Sequence, residues 1–390
     1  MNNNNLLNSL KNLYINYTTQ KKEKAKEEQE RLYYAPQRTL IWHAFKKHKL
    51  AYFSLYIIIL FYIVTTFSVF FTPYDSYFRL KDFNEIKPTS IHFTNENGDL
   101  VRPFIYSVKK ELNNETFIYK IIVDKSKKYP IKFFIERDPY DLFGITMKYK
   151  FFGIEDQTIP FYILGSDRIG RDIFSRIFHA GKISLYIGFG GVIVTFFIGI
   201  IMGGISGFYG GKIDEAIQRI IEVLISIPEI PIWIALSAAL PREWGTIKIY
   251  SAITLILAVR GWTGLARVVR GKIISLREEE FALAAKASGA SNSRIIYRHL
   301  LPAFMSYLIV HVTLAIPNMI LGETALSFLG LGIRPPAVSW GTLLQDAQEI
   351  TVIANYPWLL TPAIFVVISI LVFNFIGDGV RDAADPYSSK

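Results

Sequence analysis

The strongest constraint on the fold is a long stretch without charge, from Leu50 to Phe71. At 1.5 Å per helical residue, a helix of roughly 22 residues crosses a hydrocarbon core of about 30 Å. The stretch is longer than the apolar core of a cleavable signal peptide, and about fifty mostly polar residues precede it. The sequence therefore predicts a membrane-embedded chain rather than a soluble one.

Five more apolar blocks follow, so the sequence predicts about six transmembrane helices. The first is predicted at 51–72, and the others lie at about 183–208, 215–240, 248–268, 303–325 and 357–377. Six crossings leave both termini on one side of the membrane, and Lys46, Lys47 and Lys49 mark that side as the cytoplasm. Residues 1–50 are accordingly predicted as a cytoplasmic N-terminal segment, and 378–390 as a cytoplasmic tail.

Residues 73–160 differ in pattern from the apolar blocks. Runs such as 117–123 and 131–135 alternate apolar and polar side chains, as half-buried strands do. Asn97-Gly98 lies between two such runs and is a strong signal for a hairpin turn. We predict a small β-rich extracytoplasmic insertion between the first and second transmembrane helices, because loops of this length escape the charge rule.

Composition excludes several classes of function. The chain has no cysteine, so it forms no disulfide framework, zinc–cysteine cluster or thiol nucleophile. Its formal net charge is +10, but Glu23, Glu27 and Glu28 alternate with lysines, as in a solvated helix rather than a nucleic-acid surface. The sequence predicts no catalytic residue, no metal site and no nucleic-acid partner.

Ionisable side chains within or beside the predicted spans are candidates for function. A charge at the centre of a membrane helix costs about 3 kcal/mol or more. Glu222, Glu229, Arg260 and Glu323 therefore either have a functional role, or lie near the membrane interface or pair with another span. Residues that would break a span or allow close helix packing are Pro228, Pro231 and Pro317, and Gly199, Gly203 and Gly207.

The connection between the fourth and fifth spans carries the most informative motif. Glu279–Ser288 is rich in strong helix formers, and Gly289 is placed to end that helix. Ser291 or Asn292 can begin a second short helix before Pro302. A helix–turn–helix in this place is either a surface that docks into a groove on a soluble partner or an ordinary loop.

This connection resembles the coupling loop of permeases in ATP-binding-cassette (ABC) importers. The family motif is Glu-Ala-Ala, three residues, Gly, nine residues, Ile, one residue, Leu-Pro. Five residues match it, whereas Leu283 replaces the glutamate and His299 replaces the isoleucine, as in the peptide-permease branch. Glu280, about one turn earlier, could supply the missing carboxylate. The resemblance implies a coupling loop over 270–302 with the residues Glu280, Leu283, Ala284, Ala285, Gly289, Ile295, His299, Leu301 and Pro302.

Other stretches resemble the same family in the right order. They are 165–176, 226–228, 323–332, 335–336, 339–341 and 374–386. With the first span, they make the chain similar to the C-type subunit of an oligopeptide or dipeptide permease. The mixed-charge element 165–176 predicts an amphipathic helix at the outer mouth, which either meets a binding protein or only anchors the second span. Its candidate residues are Arg168, Arg171, Asp172 and Arg176.

The resemblance implies an all-α polytopic membrane protein of the type I ABC importer permease kind, with a permease core over 161–377. Its partners would be a second permease subunit in a heterodimer, two ATP-binding-cassette ATPases, an extracytoplasmic substrate-binding protein and membrane lipid. The chain has no Gly-Lys-Ser/Thr motif, so ATP and Mg²⁺ would be bound by the ATPases, and this chain would be no enzyme and hold no cofactor. It would move peptides across a bacterial inner membrane by alternating access.

Three alternatives remain open from the sequence. A permease of the same family for nickel or another small solute would have the same spans. The resemblance implies that the separate binding protein largely determines which solute such an importer takes. An ion-driven secondary transporter would show inverted repeats and paired acids in broken helices, and neither is evident. A membrane scaffold would need no defined helix pair like that at 278–301.

Overall fold

The computed structural model describes residues 36–95, 97–112 and 119–384. The predicted strand residues Phe117 and Ile118, most of the predicted N-terminal segment and the end of the predicted tail lie outside them. The helices that precede the 280–304 region are α1 Gln37–Lys47, α2 Lys49–Thr66, α3 Ser68–Phe71, α4 Ile173–Tyr209, α5 Gly211–Ser226, α6 Glu229–Ala238 and α7 Thr246–Leu276. The later ones are α8 Glu280–Ala287, α9 Asn292–Arg294, a π-helical turn Ile295–Leu300, α10 Leu301–Ala303, α11 Met305–Phe328, α12 Trp340–Gln345, α13 Ile350–Asn355, a 3-10 turn Pro357–Leu360 and α14 Thr361–Ala384.

Helices long and apolar enough to span a membrane dominate the described residues. There are five of them, namely α2, α4, α7, α11 and the segment Pro357–Ala384. The bent pair formed by α5 and α6 makes a sixth if it counts as one span. The predicted all-α polytopic fold with about six spans is therefore confirmed.

The third predicted span, 215–240, is broken, as expected from Pro228 and Pro231. The chain turns by 88° between α5 and α6. Ile227 has extended dihedrals, φ −88° and ψ 128°, because the ring of Pro228 disfavours a helical conformation in the residue before it. Pro231 lies in the first turn of α6, where no intrahelical donor is lost.

The glycine stripe of α4 is a packing surface, as the sequence predicts. α4 crosses α7 along Gly199, Gly203 and Gly207. A Cβ on Gly207 would lie 2.7 Å from the carbonyl oxygen of Arg270, and one on Gly199 would lie 2.9 Å from the Leu265 side chain. Only the missing side chains let the two backbones approach this closely.

Several predicted boundaries differ from the observed helices. α4 begins at Ile173 rather than near 183, because its first turns pack outside the apolar block against the insertion. The final helix runs on to Ala384, so the predicted tail 378–390 is helical throughout its described length. The predicted span 51–72 is two helices, α2 and α3, separated by Phe67.

The predicted β-rich insertion between the first two spans is confirmed. Its strands are β1 His92–Thr94, β2 Leu100–Leu112, β3 Tyr119–Pro130, β4 Lys132–Leu142 and β5 Ile145–Gly153. The first three form an antiparallel sheet, and β4 and β5 form a separate hairpin. Asn97-Gly98 turns the chain between β1 and β2, where the Asn95 side-chain oxygen accepts hydrogen bonds from the Asn97 and Asp99 backbone N–H groups.

A small core joins the insertion to the start of α4. Phe161 and Tyr162 are fully buried there beside Tyr74, and the Tyr162 hydroxyl donates to the Gly170 carbonyl at 2.8 Å. Lys150 of β5 is also buried and lies 3.1 Å from the Asp75 carboxylate. Burial lowers the pKa of Lys150, while Asp75 opposes that shift. The insertion is thus fixed to the membrane helices by packing and by one half-buried ion pair.

Candidate functional site

The connection at 280–302 is an ordered helix–turn–helix. The predicted first helix is present as α8, and Gly289 follows it with φ +78°, in the left-handed region that only glycine adopts freely. The Ala290 N–H donates to the Ala285 carbonyl at 3.1 Å and the Gly289 N–H to the Lys286 carbonyl at 3.0 Å, which closes the end of the helix. Ser291 then caps α9 by accepting from the Arg294 N–H.

One face of this connection is anchored on the membrane helices. Ala282, Ile295, Ile296, Leu300 and Leu301 are buried. They pack in one cluster against α7 residues Leu265, Val269 and Ile273 and against Phe304 and Leu308. Two predicted coupling residues, Ile295 and Leu301, are therefore anchors rather than contact residues for a partner. A force on the connection would be transmitted to α7 and α11.

The opposite face is an exposed apolar surface without a partner in the described residues. Phe281, Leu283 and Tyr297 are about half exposed, and we call these three residues the docking patch. Of the other predicted coupling residues, Glu280, Ala284, Gly289 and Pro302 are exposed, whereas Ala285 and His299 are half-buried. Exposed apolar side chains beside charged ones fit a protein groove better than they fit water.

Glu323 lies at the centre of a buried polar network. The residue is fully buried in α11, and its carboxylate accepts hydrogen bonds from the Ser184 hydroxyl at 2.8 Å and the Ser327 hydroxyl at 2.7 Å. Ser184 belongs to α4, and its oxygen accepts from the Trp340 N–H at 3.1 Å. The network thus ties α4, α11 and α12 together. Glu323 acts within the protein and not as an exposed charge.

Arg260 and Glu229 come together at a cavity of about 640 Å³ between α4, α6, α7 and α11. Their charged atoms are 4.0 Å apart. Two further lining residues, Thr195 and Trp233, each carry a buried polar atom without a hydrogen-bond partner in the described residues. His311 and other polar side chains line the same space, namely Arg267, Thr263 and Asn318. The cavity offers both charge and free hydrogen-bonding groups at the level of the spans.

Glu222 is separate from both groups. It is exposed on α5 and forms an ion pair of 2.9 Å with Arg219 on the same helix. The structure therefore brings Arg260 to the cavity beside Glu229, but it leaves Glu222 and Glu323 elsewhere.

The prediction of an amphipathic helix over 165–176 is wrong. Residues 165–172 form a turn, in which Ser166 and Asp172 pair as a short bridge, and α4 begins only at Ile173. Asp172 and Arg176 are buried. A helix there would have to expose one charged face, whereas these charges are used to close the turn.

Acids that the sequence analysis did not single out hold this turn. Asp167 is buried and accepts from Arg171 Nε at 2.7 Å and from Arg176. Asp346 lies 3.7 Å from Arg176 and draws the segment before α13 to the same place. Arg168 alone among the four predicted residues is largely exposed, and it pairs with Glu349 at 3.2 Å.

Asp172 is the N-cap of α4, and we expect its replacement to change stability. Its carboxylate accepts from the Ser175 N–H at 2.8 Å, so Asp172→Ala should lower the free energy of unfolding by about 1 kcal/mol. Asp172→Asn keeps an acceptor and should cost less. Thermal unfolding in detergent measures both, and equal melting temperatures for the two variants would contradict this assignment.

The Asp172→Asn variant should also remove a dependence on pH. Burial raises the pKa of Asp172 from 3.8 to about 7, so the folded protein holds this proton more tightly than the unfolded chain does. The contribution to stability is therefore present at low pH and is lost as the pH rises through 7. Between pH 5 and pH 8, the melting temperature of the unsubstituted chain should change more than that of the Asn variant.

Two further contacts that the sequence does not predict lie at the end of α7, next to the connection. Arg270 of α7 binds the Asp214 carboxylate through two hydrogen bonds of 2.6 Å, and Arg277 donates to the Gly207 carbonyl at 3.1 Å. Both contacts hold the end of α7 against the helices on either side of the turn at Gly210, because Gly207 lies in the last turn of α4 and Asp214 in the first turn of α5. Arg270, Arg277 and Asp214 each lie near the end of an apolar block of the sequence. The sequence does not show which of these ends are in contact.

Two protein families match the chain. The family described as "Binding-protein-dependent transport system inner membrane component" matches residues 196–389. The family described as "N-terminal TM domain of oligopeptide transport permease C" matches residues 37–88.

Similar proteins are named as peptide permeases. The dipeptide transport system permease protein DppC of Bacillus subtilis is 41% identical over 57% of this chain and 68% of its own length. The oligopeptide transport system permease protein OppC of the same organism is 41% identical over 58% and 72%. OppC of Haemophilus influenzae is 40% identical over 58% of this chain and 70% of its own length.

Among solved structures, a chain of the inward-facing methionine ABC transporter MetNI superimposes with a TM-score of 0.44 and 19% identity. The match covers 55% of this chain and 98% of that one.

Proposed function

Because the chain belongs to the family of binding-protein-dependent transport system inner membrane components, as a C-type permease subunit of an ABC peptide importer, we propose that it carries dipeptides or oligopeptides across the cell membrane by ATP-driven alternating access. The names of its relatives support this substrate class. ATP and Mg²⁺ would be bound by separate ATPase subunits, and the permease would act on the solute without chemical change.

The observation that carries the proposal is the two-sided construction of the 280–302 connection. Its inner face is packed on α7, and its docking patch of Phe281, Leu283 and Tyr297 is exposed beside the acidic residues 278–280. An apolar helix face of this size fits a hydrophobic groove, and aromatic side chains commonly supply the largest part of such binding energy. The docking patch would sit in a groove on the ATPase subunit.

Motion of the ATPases would then reach the spans through rigid contacts. The connection is ordered on both sides of Gly289, and the Arg270–Asp214 pair joins α7 to the first turn of α5. When the ATPase pair closes on nucleotide, the connection would pull α7 and α11 as bodies. The cavity between α4, α6, α7 and α11 would open toward one side and then the other.

The orientation follows from charge. The C-terminal end of α7 and the connection carry many basic residues, and short basic connections remain in the cytoplasm. Both termini would lie in the cytoplasm, and the β insertion would lie outside, where a substrate-binding protein delivers peptide. A second permease subunit would complete the path.

Uptake by the reconstituted complex tests the proposal. Vesicles that contain this chain with its copurifying partners should accumulate labelled dipeptide or oligopeptide when ATP and the binding protein are present, and only then. Accumulation driven by an ion gradient without ATP would overturn the proposal in favour of a secondary transporter. Accumulation of Ni²⁺ but not of any peptide would replace the substrate class.

The cavity charges predict which substitution slows transport. Arg260→Ala should lower peptide uptake by about tenfold, because one hydrogen bond to a charged group contributes about 1.5–3 kcal/mol. Arg219→Ala is the matched control, since Arg219 is exposed and its ion pair within the described residues is with Glu222 on its own helix. Uptake rates at equal amounts of complex give the comparison. Equal rates for the two variants would exclude the cavity as the substrate path.

A further inference from the structure

The β4–β5 hairpin presents an exposed apolar face beside the end of the first span. Phe143 and Ile145 at its tip are each 67% exposed, and Phe133, Phe134 and Tyr149 are also more than half exposed. A soluble surface rarely carries so many adjacent large apolar side chains. We propose that this hairpin lies in the membrane–water interface, with Phe143 and Ile145 in contact with the acyl chains of lipid.

The tip of the hairpin is level with the end of the first span. Phe67 directly follows α2, and its ring lies 5.8 Å from the ring of Phe143 in an edge-on arrangement. Phe53, Tyr56, Leu60 and Ile63 are exposed on α2 at steps of three and four residues, and Phe67 continues this stripe just past the end of the helix. Phe143 therefore continues an apolar surface that the span already presents to the membrane.

The position of Lys182 places the same point at the membrane surface. Its ammonium lies 5.9 Å from the centre of the Phe143 ring. α4 has 37 residues and, at about 1.5 Å each, is far longer than a hydrocarbon core of about 30 Å. Lys182 lies about two and a half turns inside its start, where an exposed lysine can extend its charge to the lipid head groups while its stem stays in apolar surroundings. A lysine and an exposed phenylalanine at one height are typical of this interface.

Aromatic packing holds the base of the hairpin in place. Phe151 of β5 lies 5.9 Å from Phe70 and 5.6 Å from Phe71, both of which belong to α3. Phe134 of β4 lies 5.8 Å from Phe151. The hairpin is thus tied to the helix that extends the first span, and its tip points back toward the membrane. Phe143-Gly144 forms the tight turn between the paired residues Leu142 and Ile145.

Lipid explains this face better than a protein partner does. The apolar residues continue the surface of a membrane helix, and Lys182 beside the tip is placed as an interfacial anchor would be. Leu100 provides a contrast within the same insertion. It is 87% exposed at the start of β2, in the separate three-stranded sheet. Leu100 should be in water.

The absence of cysteine makes the proposal directly testable. Phe143→Cys, Ile145→Cys and the control Leu100→Cys would each carry one nitroxide label in the full-length chain, reconstituted in vesicles of phosphatidylethanolamine and phosphatidylglycerol. The accessibility of each label to oxygen, which concentrates in lipid, is compared with its accessibility to a water-soluble nickel chelate. The unlabelled chain should give no signal.

We expect an oxygen-to-nickel accessibility ratio several-fold higher at positions 143 and 145 than at position 100. Equal, water-like ratios at all three positions would overturn the proposal. Labels at 143 and 145 that neither agent reaches would also overturn it, because a protein surface would then cover the hairpin. Because positions 143 and 145 are labelled in separate variants, a local distortion caused by one substitution would not change the ratio measured at the other.

Discussion

Gly289→Pro is expected to reduce peptide uptake to background while the chain still inserts and assembles. Gly289 has φ +78°, whereas proline is fixed near −65°, so the turn after α8 cannot keep its conformation. Proline also removes the N–H group that donates to the Lys286 carbonyl. The direction of α8 relative to the buried residues at 295–301 must change, and the docking patch moves with it. ATP hydrolysis should then no longer drive transport.

The loss of peptide uptake should be larger for a residue at position 289 that adopts the left-handed conformation at a higher cost in free energy. Asparagine tolerates this region, so Gly289→Asn should retain most uptake, and Gly289→Ala should fall between it and proline because alanine pays about 1–2 kcal/mol. A Cβ at position 289 would meet nothing within 4 Å, so steric clash does not contribute. Gly271→Ala is the control, since it lies in α7 and also meets nothing.

Peptide uptake and ATP hydrolysis, measured on the same vesicles, give the number of peptides moved per ATP. This ratio should fall in the order Gly, Asn, Ala, Pro and should not change for Gly271→Ala. A proline variant that transports at the normal ratio would show that the connection is not a lever.

Glu323→Leu is expected to be the most destabilising single change among the predicted site residues. It leaves the hydroxyls of Ser184 and Ser327 without their acceptor in a fully buried site. Each buried polar group that loses its partner costs about 1–3 kcal/mol, so the free energy of unfolding should fall by about 3 kcal/mol or more. Because Ser184 also receives the Trp340 N–H, the contact between α4 and α12 should loosen too.

Two matched variants separate this network from a general effect of substitution in α11. Glu323→Gln keeps an oxygen acceptor and should lose less stability than leucine does. Thr324 is the next residue, buried, and its hydroxyl has no partner in the described residues, so Thr324→Val should be neutral or stabilising. Thermal unfolding in detergent ranks the three. A leucine variant as stable as the valine variant would contradict the role given to Glu323.

The membrane fold was predictable because the thickness of the bilayer fixes the length of each apolar block. The helix pair at 280–302 was predictable because its signals are local. Gly289 ends α8 and Ser291 caps α9, and both act on hydrogen bonds within a few residues. The β insertion was predictable because its signals are also local: Asn97-Gly98 is a turn sequence between two runs that alternate apolar and polar residues.

Features that depend on distant residues were not predictable in this way. Pro228 ends a helix in an 88° bend, whereas Pro317 lies inside the continuous helix α11, so residue type alone did not distinguish the two. The partner of Glu323 stands 139 residues away, at Ser184. The turn at 165–172 resembled an amphipathic helix because charged and apolar residues alternate in it. In the structure, the buried Asp167 instead binds Arg171 and Arg176.

Crosslinking from the docking patch tests the central claim most directly. In the cysteine-free chain, Leu283→Cys places a reactive thiol in the patch, and Leu329→Cys places one at the far end of α11; both leucines are 48% exposed. The tagged chain is purified from membranes after treatment with a short thiol-reactive crosslinker, and the attached proteins are identified by mass spectrometry. The account predicts an ATP-binding subunit attached at position 283 and not at position 329. An ATP-binding subunit attached at neither position, or equally at both, would contradict the assignment of this chain as the ATPase-coupled permease.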